Sequence, residues 1–252
     1  MKFEPIKVEY VNHMGSDLTV VDAARVSFDK RSEFVDLREA DLENHNISEG
    51  GDPQYCLYGK DMLANGNIHG LSKDDFKLIR YLANHKHWSP FGHATITVRV
   101  TAPIFLARQL YKHKIGLVEN EISRRYVSDE PTFFKPNAWR GKPTKGAKQG
   151  SDGTVEDQEL CNIILEEVVE KCNSAYEELL LNGVAPEQAR LILPQNMNTS
   201  WHWTGSLEAF CRVYRQRVDS HAQQEAQEFA RALNRILFVI FPASTYLLNS
   251  HS

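Results

Sequence analysis

Cations and hydrogen-bonding groups crowd into residues 108 to 125, RQLYKHKIGLVENEISRR. Arg108, Lys112, Lys114, Arg124 and Arg125 outnumber Glu119 and Glu121, so the segment carries +3 in a chain whose formal net charge is −4. A cationic island in an acidic chain marks a site for a small anion, because local field rather than net charge concentrates a small ligand. Guanidinium and ammonium groups suit phosphate or a polarised carbonyl, and Gln109, Glu121 and Ser123 add directional hydrogen bonds. A second set of arginines, Arg212, Arg215 and Arg217, follows near residue 215 and precedes Ser220-His221-Ala222-Gln223. Taken alone, such a run is a solvated helix face, and Ser123 alone is a helix cap or turn hydroxyl.

Other chemistries find less support. His85, His87 and His93 lie close in sequence but lack a nearby set of carboxylates or cysteines, so no metal site is expected. Neither Gly-x-Gly-x-x-Gly nor the P-loop pattern occurs, and any dinucleotide must be held by side chains rather than by a glycine cradle. Cys56, Cys161, Cys172 and Cys211 form no Cys-x-x-Cys pair, and the last three sit beside apolar residues at helical spacing, which reads as reduced packing residues.

The elements that position these groups follow from periodicity. Residues 94 to 101, ATITVRVT, alternate Ile96, Val98 and Val100 against Thr95, Thr97, Arg99 and Thr101, the pattern of a half-buried strand. Pro103 suits a first helical position, and the following run has no breaker before Gly116. A helix of that length puts Gln109, Lys112 and His113 on one face. Residues 128 to 157, rich in Pro, Lys, Gly, Ser and Asp, read as an exposed loop or insertion. From 158 to 182, Leu160, Ile163, Ile164, Val168, Cys172, Tyr176 and Leu179 recur at helical spacing, and Pro186 opens a helix carrying Arg190. The last helical region, 206 to 240, sets Phe229, Leu233, Ile236, Leu237 and Ile240 in one stripe, while 40 to 75 carries turn signals. The expected fold is α/β (α+β), one domain over 1–252 with antiparallel strands flanked by several helices.

At 42% hydrophobic and 25% charged, the 252 residues are those of an ordinary globular protein. No apolar run approaches the roughly 20 residues that cross a bilayer, and MKFEPIKVEY lacks the features of a signal peptide. A cytoplasmic protein is expected, with no membrane partner. The overall acidity and the lack of an extended basic stripe argue against a nucleic-acid partner, leaving a nucleotide- or RNA-binding module as the rival from another class.

Arg108-Gln109, Lys112-His113-Lys114, Asn120-Glu121, Ser123 and Arg125-Tyr126 together resemble the signature of flavin-dependent thymidylate synthases, Arg-His-Arg followed by Asn-Glu-x-Ser-x-Arg-Tyr. Lysines stand for two arginines, and one extra residue separates the triplet from Asn120. Ala23-Ala24-Arg25-Val26-Ser27-Phe28 resembles the family's early Ala-Arg-Val-Ser element. His87-Trp88-Ser89-Pro90-Phe91-Gly92-His93 is similar to its His-x-Ser/Thr-Pro-Phe-Glu-His element, with Gly92 in place of the acid. Ala189-Arg190 and Arg217 with 220–223 resemble its C-terminal nucleotide-binding arginines.

The resemblance implies reductive methylation of dUMP to dTMP, with FAD, NADPH and methylenetetrahydrofolate, in a homotetramer whose active sites lie between subunits. It implies Arg217 as the catalytic group that polarises the pyrimidine. Gln109, Lys112, Glu121, Ser123, Arg125, Arg190 and Arg217 become the nucleotide-binding set. His87, Ser89, Lys112, His113, Lys114, Glu121, Ser206 and Arg212 become the flavin-facing set, Ser206 and Arg212 standing where the family uses asparagines. No cysteine lies among these motifs, in contrast to the thiolate used by the classical thymidylate synthase. A related flavin- and folate-dependent hydroxymethylase acting on dCMP or dUMP is the nearest alternative.

Overall fold

Strict alternation builds the centre of the molecule. In the computed structural model, which describes residues 1–37, 68–126, 129–143 and 150–250, Thr95–Pro103 is a strand. Ile96, Val98, Val100 and Ala102 are buried on one face, and Arg99 is exposed on the other. Asn198–Ser206 repeats the pattern with Trp201 and Trp203 inward.

In chain order the first half contains β1 (Lys2–Phe3), β2 (Lys7–Met14), α1 (Asp17–Arg25), β3 (Val35–Leu37), β4 (Ile68–Gly70), α2 (Lys73–Asn84), β5 (Thr95–Pro103), α3 (Ile104–Leu110) and β6 (Leu117–Glu121). The second half contains β7 (Thr132–Phe133), β8 (Arg140–Gly141), β9 (Asp152–Thr154), α4 (Gln158–Leu181), α5 (Pro186–Ala189), β10 (Asn198–Ser206), α6 (Leu207–Val218), α7 (Gln224–Ile240) and α8 (Pro242–Asn249). A four-stranded antiparallel sheet runs β2-β5-β10-β6, and among the described residues three two-stranded pairs stand apart from it.

One face of this sheet carries the main core. Val98, Val100, Trp201 and Trp203 pack with Phe210 of α6 and with Phe229, Leu233 and Leu237 of α7. Trp203 meets Phe210 edge-on, with ring centroids 5.5 Å apart. Such aromatic pairs contribute about 0.5–1.5 kcal/mol beyond the area they bury. Two carboxylates pin the helices. Asp17 is fully buried and accepts from the Ala243 and Ser244 amides at 2.9 Å each, satisfying free N–H groups at the start of α8. Asp75 accepts from Arg25 Nη2 at 2.7 Å, from Ser32 Oγ at 2.8 Å and from Ser72 Oγ at 2.7 Å, tying α1 to α2.

Several expectations change. The helix after Pro103 ends at Leu110, not near Gly116. Pro103 is its N-cap, closing β5 with φ −65° and ψ 149°. The chain leaves the helix early because it must reverse to pair Leu117–Glu121 with β10. That reversal passes through Gly116 at φ +76°, which a side chain would strain. Gly205 makes room for it, since a Cβ there would lie 2.6 Å from the Gly116 carbonyl oxygen. Lys112 and His113 therefore share no helical face with Gln109: Lys112 is exposed and His113 is buried.

The 206–240 region is two helices, broken at 219–223, where Asp219 accepts from the His221 amide at 2.8 Å. Gln158–Leu181 is helical, yet much of its apolar stripe is uncovered: Leu160, Ile163, Ile164 and Val168 are exposed, while Val169 and Tyr176 are buried. Within 128–157, Phe133 and Phe134 are buried, and Arg140 joins the segment to α7 through Glu225 at 2.8 Å. Cys56 and the turn signals at 50–53 and 65–67 lie outside the described residues. Among the described residues no helix is long and apolar enough to cross a membrane.

Candidate active site

The register of β6 on β10 sets the first group of side chains. Trp201 stands opposite Glu121, and the neighbouring Thr199 donates its hydroxyl to Glu121 Oε1 at 2.6 Å. Just beyond β6, Ser123 Oγ accepts from the Arg125 amide and from Arg125 Nε, both at 3.3 Å, the turn role that serine commonly plays. Arg190 follows the short α5 and donates Nε to the Glu187 carbonyl at 3.3 Å. Glu121, Ser123, Arg125 and Arg190 line one cavity of about 740 Å³, with Arg99 and Arg124 adding positive charge and Glu4, Asp129 and Glu130 opposing it. Four members of the nucleotide-binding set thus meet, although residues up to 69 positions apart in sequence supply them. Their donors suit an anion with several acceptor oxygens.

The second group lies where α3 ends against α6. Arg217 donates Nε to His113 Nε2 at 2.9 Å and Nη2 to the Gln109 carbonyl at 3.3 Å. The Gln109 side chain in turn donates to Gln223 Oε1 at 2.5 Å. Burial lowers the Arg217 pKa from its ordinary value. Burial also dominates at His113, followed by the positive charges of Arg217 and Arg212, and holds the ring at about 4. A neutral imidazole beside a guanidinium can only accept, which is the geometry observed.

The third group surrounds a cavity of about 610 Å³ lined by His87, Trp88, Phe91, Ile115, Leu247 and Arg212, among others. Arg212 donates Nη2 to the Ile115 carbonyl. Ser206 caps α6, its Oγ accepting from the Ala209 amide at 3.3 Å, and Ser89 precedes the short turn of helix Pro90–Gly92. Trp88 is two-thirds exposed. A wall of Trp88, Phe91, Ile115 and Leu247 beside a guanidinium fits a flat heteroaromatic ring bearing an anionic chain. Lys114 pairs with Glu119 and lies 5.9 Å from the Tyr111 ring centroid, while Lys112 points to solvent. Burial, then the Glu121 and Glu119 carboxylates, raise the Tyr111 hydroxyl well above its ordinary value, so it stays protonated.

Within one chain the three groups remain distinct, for the cavity at Glu121 includes neither Arg217, His113 and Gln109 nor His87 and Arg212. Sequence reasoning did not select Thr199, Gln223, Trp88 or Arg99 as site residues. The alternation around Trp201 and Trp203 places Thr199 on the inner face, and Gln223 closes the motif that follows Arg217; both signals were readable. Burial keeps the Cys211 thiol protonated by raising its pKa, and it packs in the core away from these groups. Among the described residues no cluster of three or more His, Cys, Asp or Glu side chains could hold a metal.

The model of the family described as thymidylate synthase complementing protein matches residues 9–243. The chain belongs to the flavin-dependent thymidylate synthase family. It is 32% identical over 244 residues to the flavin-dependent thymidylate synthase of Thermus thermophilus, covering 97% of this chain and 76% of that protein. The enzyme of the same name from Kosmotoga olearia is 34% identical over 232 residues, covering 91% of this chain and 84% of the other. Among solved structures, a UMP/dUMP methylase from Streptomyces cacaoi bound with 5-Br dUMP aligns with a TM-score of 0.75 and 26% identity, covering 99% of this chain and 97% of that one. Membership in the flavin-dependent thymidylate synthase family confirms the mixed α/β architecture and sets the chain among flavin-using enzymes rather than among non-catalytic binding modules. The signature segment at 108–126 and the Arg217 segment both fall inside the match.

Proposed function

We propose that this protein converts dUMP to dTMP by reductive methylation, taking the carbon from methylenetetrahydrofolate and using NADPH as reductant for FAD. The observation that carries the reading is the convergence of Glu121, Ser123, Arg125 and Arg190 on one cavity, where four arginines face four carboxylates. Arg125 and Arg190 neutralise the nucleotide phosphate, while Glu121, fixed by Thr199, and Ser123 orient the nucleotide through hydrogen bonds. Lys112, exposed on the turn after α3, offers a point charge without the planar fork of an arginine. Arg217 is held by two acceptors and polarises a pyrimidine carbonyl, stabilising negative charge as the ring becomes nucleophilic.

His87, Ser89, Arg212, Ser206, His113, Lys114, Lys112 and Glu121 form the flavin-facing set, and the apolar wall at Trp88 supports a flat ring there. Bound flavin supplies the redox chemistry, which amino-acid side chains lack. The three groups complete one site when subunits meet, and the uncovered stripe on α4 supports the homotetramer. Titrating the purified protein with FAD, followed by dUMP, tests the reading. Flavin absorbance that shifts on adding dUMP supports it. A colourless protein that binds neither FAD nor dUMP, and instead binds RNA with steep salt dependence, defeats it.

A further inference from the structure

Arg217 is a donor-only side chain, and its Nε lies 2.9 Å from His113 Nε2. That nitrogen must therefore present a lone pair, which puts the ring proton on Nδ1. The ring is buried, and the His113 amide donates to the Leu110 carbonyl at 3.0 Å, so the turn after α3 fixes its position. A second acceptor, the Gln109 carbonyl, takes Arg217 Nη2 at 3.3 Å. Gln109 is itself tied to Gln223 on the far side of the break between α6 and α7. Two of its five N–H groups are thus engaged, one on Nε and one on Nη2. Among the described residues Nη1 makes no hydrogen bond.

We infer that His113 is a positioning residue: its neutral Nδ1–H ring, accepting at Nε2, locks Arg217 so that the Nη1 edge of the guanidinium is presented to the nucleotide base. The inference rests on the reading of Arg217 as the base-polarising group. It gives the histidine of the Lys-His-Lys triplet a use that charge alone does not suggest. The charged groups acting on the ring are Arg217 and Arg212 of α6, with Lys112 and Lys114 beside it in sequence. All are cations, and burial with the two arginines keeps the ring neutral down to about 4. The lock is therefore set at any neutral pH.

The test combines two measurements on flavin-loaded protein. Histidine-selective ¹⁵N NMR reports the tautomer: the expected signal is Nδ1–H with unprotonated Nε2, unchanged as pH falls from 8 to about 5.5. A ring that titrates near 6.5, or carries its proton on Nε2, overturns the inference. The second measurement compares His113→Phe with His113→Gln, whose amide oxygen can still accept from a guanidinium. The Phe variant, assayed per bound flavin, should lose on the order of 100-fold in kcat/KM for dUMP, because a misaimed group forfeits its effective molarity. The Gln variant should regain at least about 10-fold of that loss. Equal loss in both variants, or wild-type behaviour of the Phe variant, overturns the positioning role. Arg217→Ala run in parallel separates the two ideas. If it turns over normally while the NMR shows the expected tautomer, the reading of Arg217 fails and the geometry at His113 stands.

Discussion

Replacing Arg217 by methionine separates its role in the reaction from its role in the fold. The variant loses a 2.9 Å bond to His113 and a 3.3 Å bond to the Gln109 carbonyl. Hydrogen bonds from a charged donor each contribute about 1.5–3 kcal/mol, but the guanidinium is drawn from water, as the lowering of its pKa by burial indicates. Exchange of a desolvated charge for a hydrophobic side chain of similar volume is close to neutral, so the net change in folding free energy should stay within about 2 kcal/mol. For a chain of this length that moves Tm by no more than about 8 °C. Turnover should suffer far more. Removing one preorganised donor from a developing anion costs about 2.7–4 kcal/mol, or 100- to 1,000-fold in kcat. Lysine should fall between, because an ammonium cannot reach both acceptors with one planar fork. The assay is dUMP-dependent NADPH oxidation alongside flavin absorbance and thermal unfolding. Turnover within about threefold of wild type, or a loss of activity fully explained by lost flavin or unfolding, refutes the role given to Arg217.

Asp75→Asn should destabilise the protein by about 3 kcal/mol, because Arg25 is left half-buried without its counter-charge; chemical denaturation measures this, and a change below about 1 kcal/mol contradicts it. His113 binds its proton at about 4 in the fold but near 6.5 when unfolded, so the unfolded chain takes up more protons between those values. Its contribution is complete above 6.5 and falls by up to about 3 kcal/mol as pH drops toward 4, and His113→Phe should flatten that slope in urea unfolding at pH 7 and about 4.5. If the uncovered stripe on α4 joins subunits, Ile164→Asp with Val168→Asp should dissociate the assembly in sedimentation velocity while each chain keeps its helical circular dichroism. An assembly of unchanged size would count against that interface.

The elements that could be read directly were those whose local pattern agrees with the tertiary answer. Ile96, Val98 and Val100 alternate because one face of β5 is buried, and Phe229, Leu233 and Leu237 recur because α7 lies across that same core. The end of α3 was hidden because no proline or glycine marks Leu110; the competing demand of β6 for pairing with β10 ends the helix instead. The break at 219–223 was hidden for a similar reason, being made by an aspartate that caps a neighbouring amide. The periodicity of α4 announced a helix but not what covers it, since burial of Leu160, Ile164 and Val168 is not supplied by the described residues.

In the site, charge density in residues 108–125 was visible in composition. Which charges meet was not, because the sheet register, not the sequence interval, brings Thr199 to Glu121, and the turn after α5 brings Arg190 to the cavity that Arg125 lines. The division of the triplet, with Lys112 in water and His113 under Arg217, depended on the turn that the long-helix reading missed.

The decisive measurement is the mass of the nucleotide after incubation of the flavin-loaded protein with dUMP, methylenetetrahydrofolate and NADPH. A gain corresponding to one methyl group, with oxidation of NADPH, is the predicted result. A gain corresponding to a hydroxymethyl group, or an unchanged nucleotide from protein shown to hold flavin and dUMP, would contradict it.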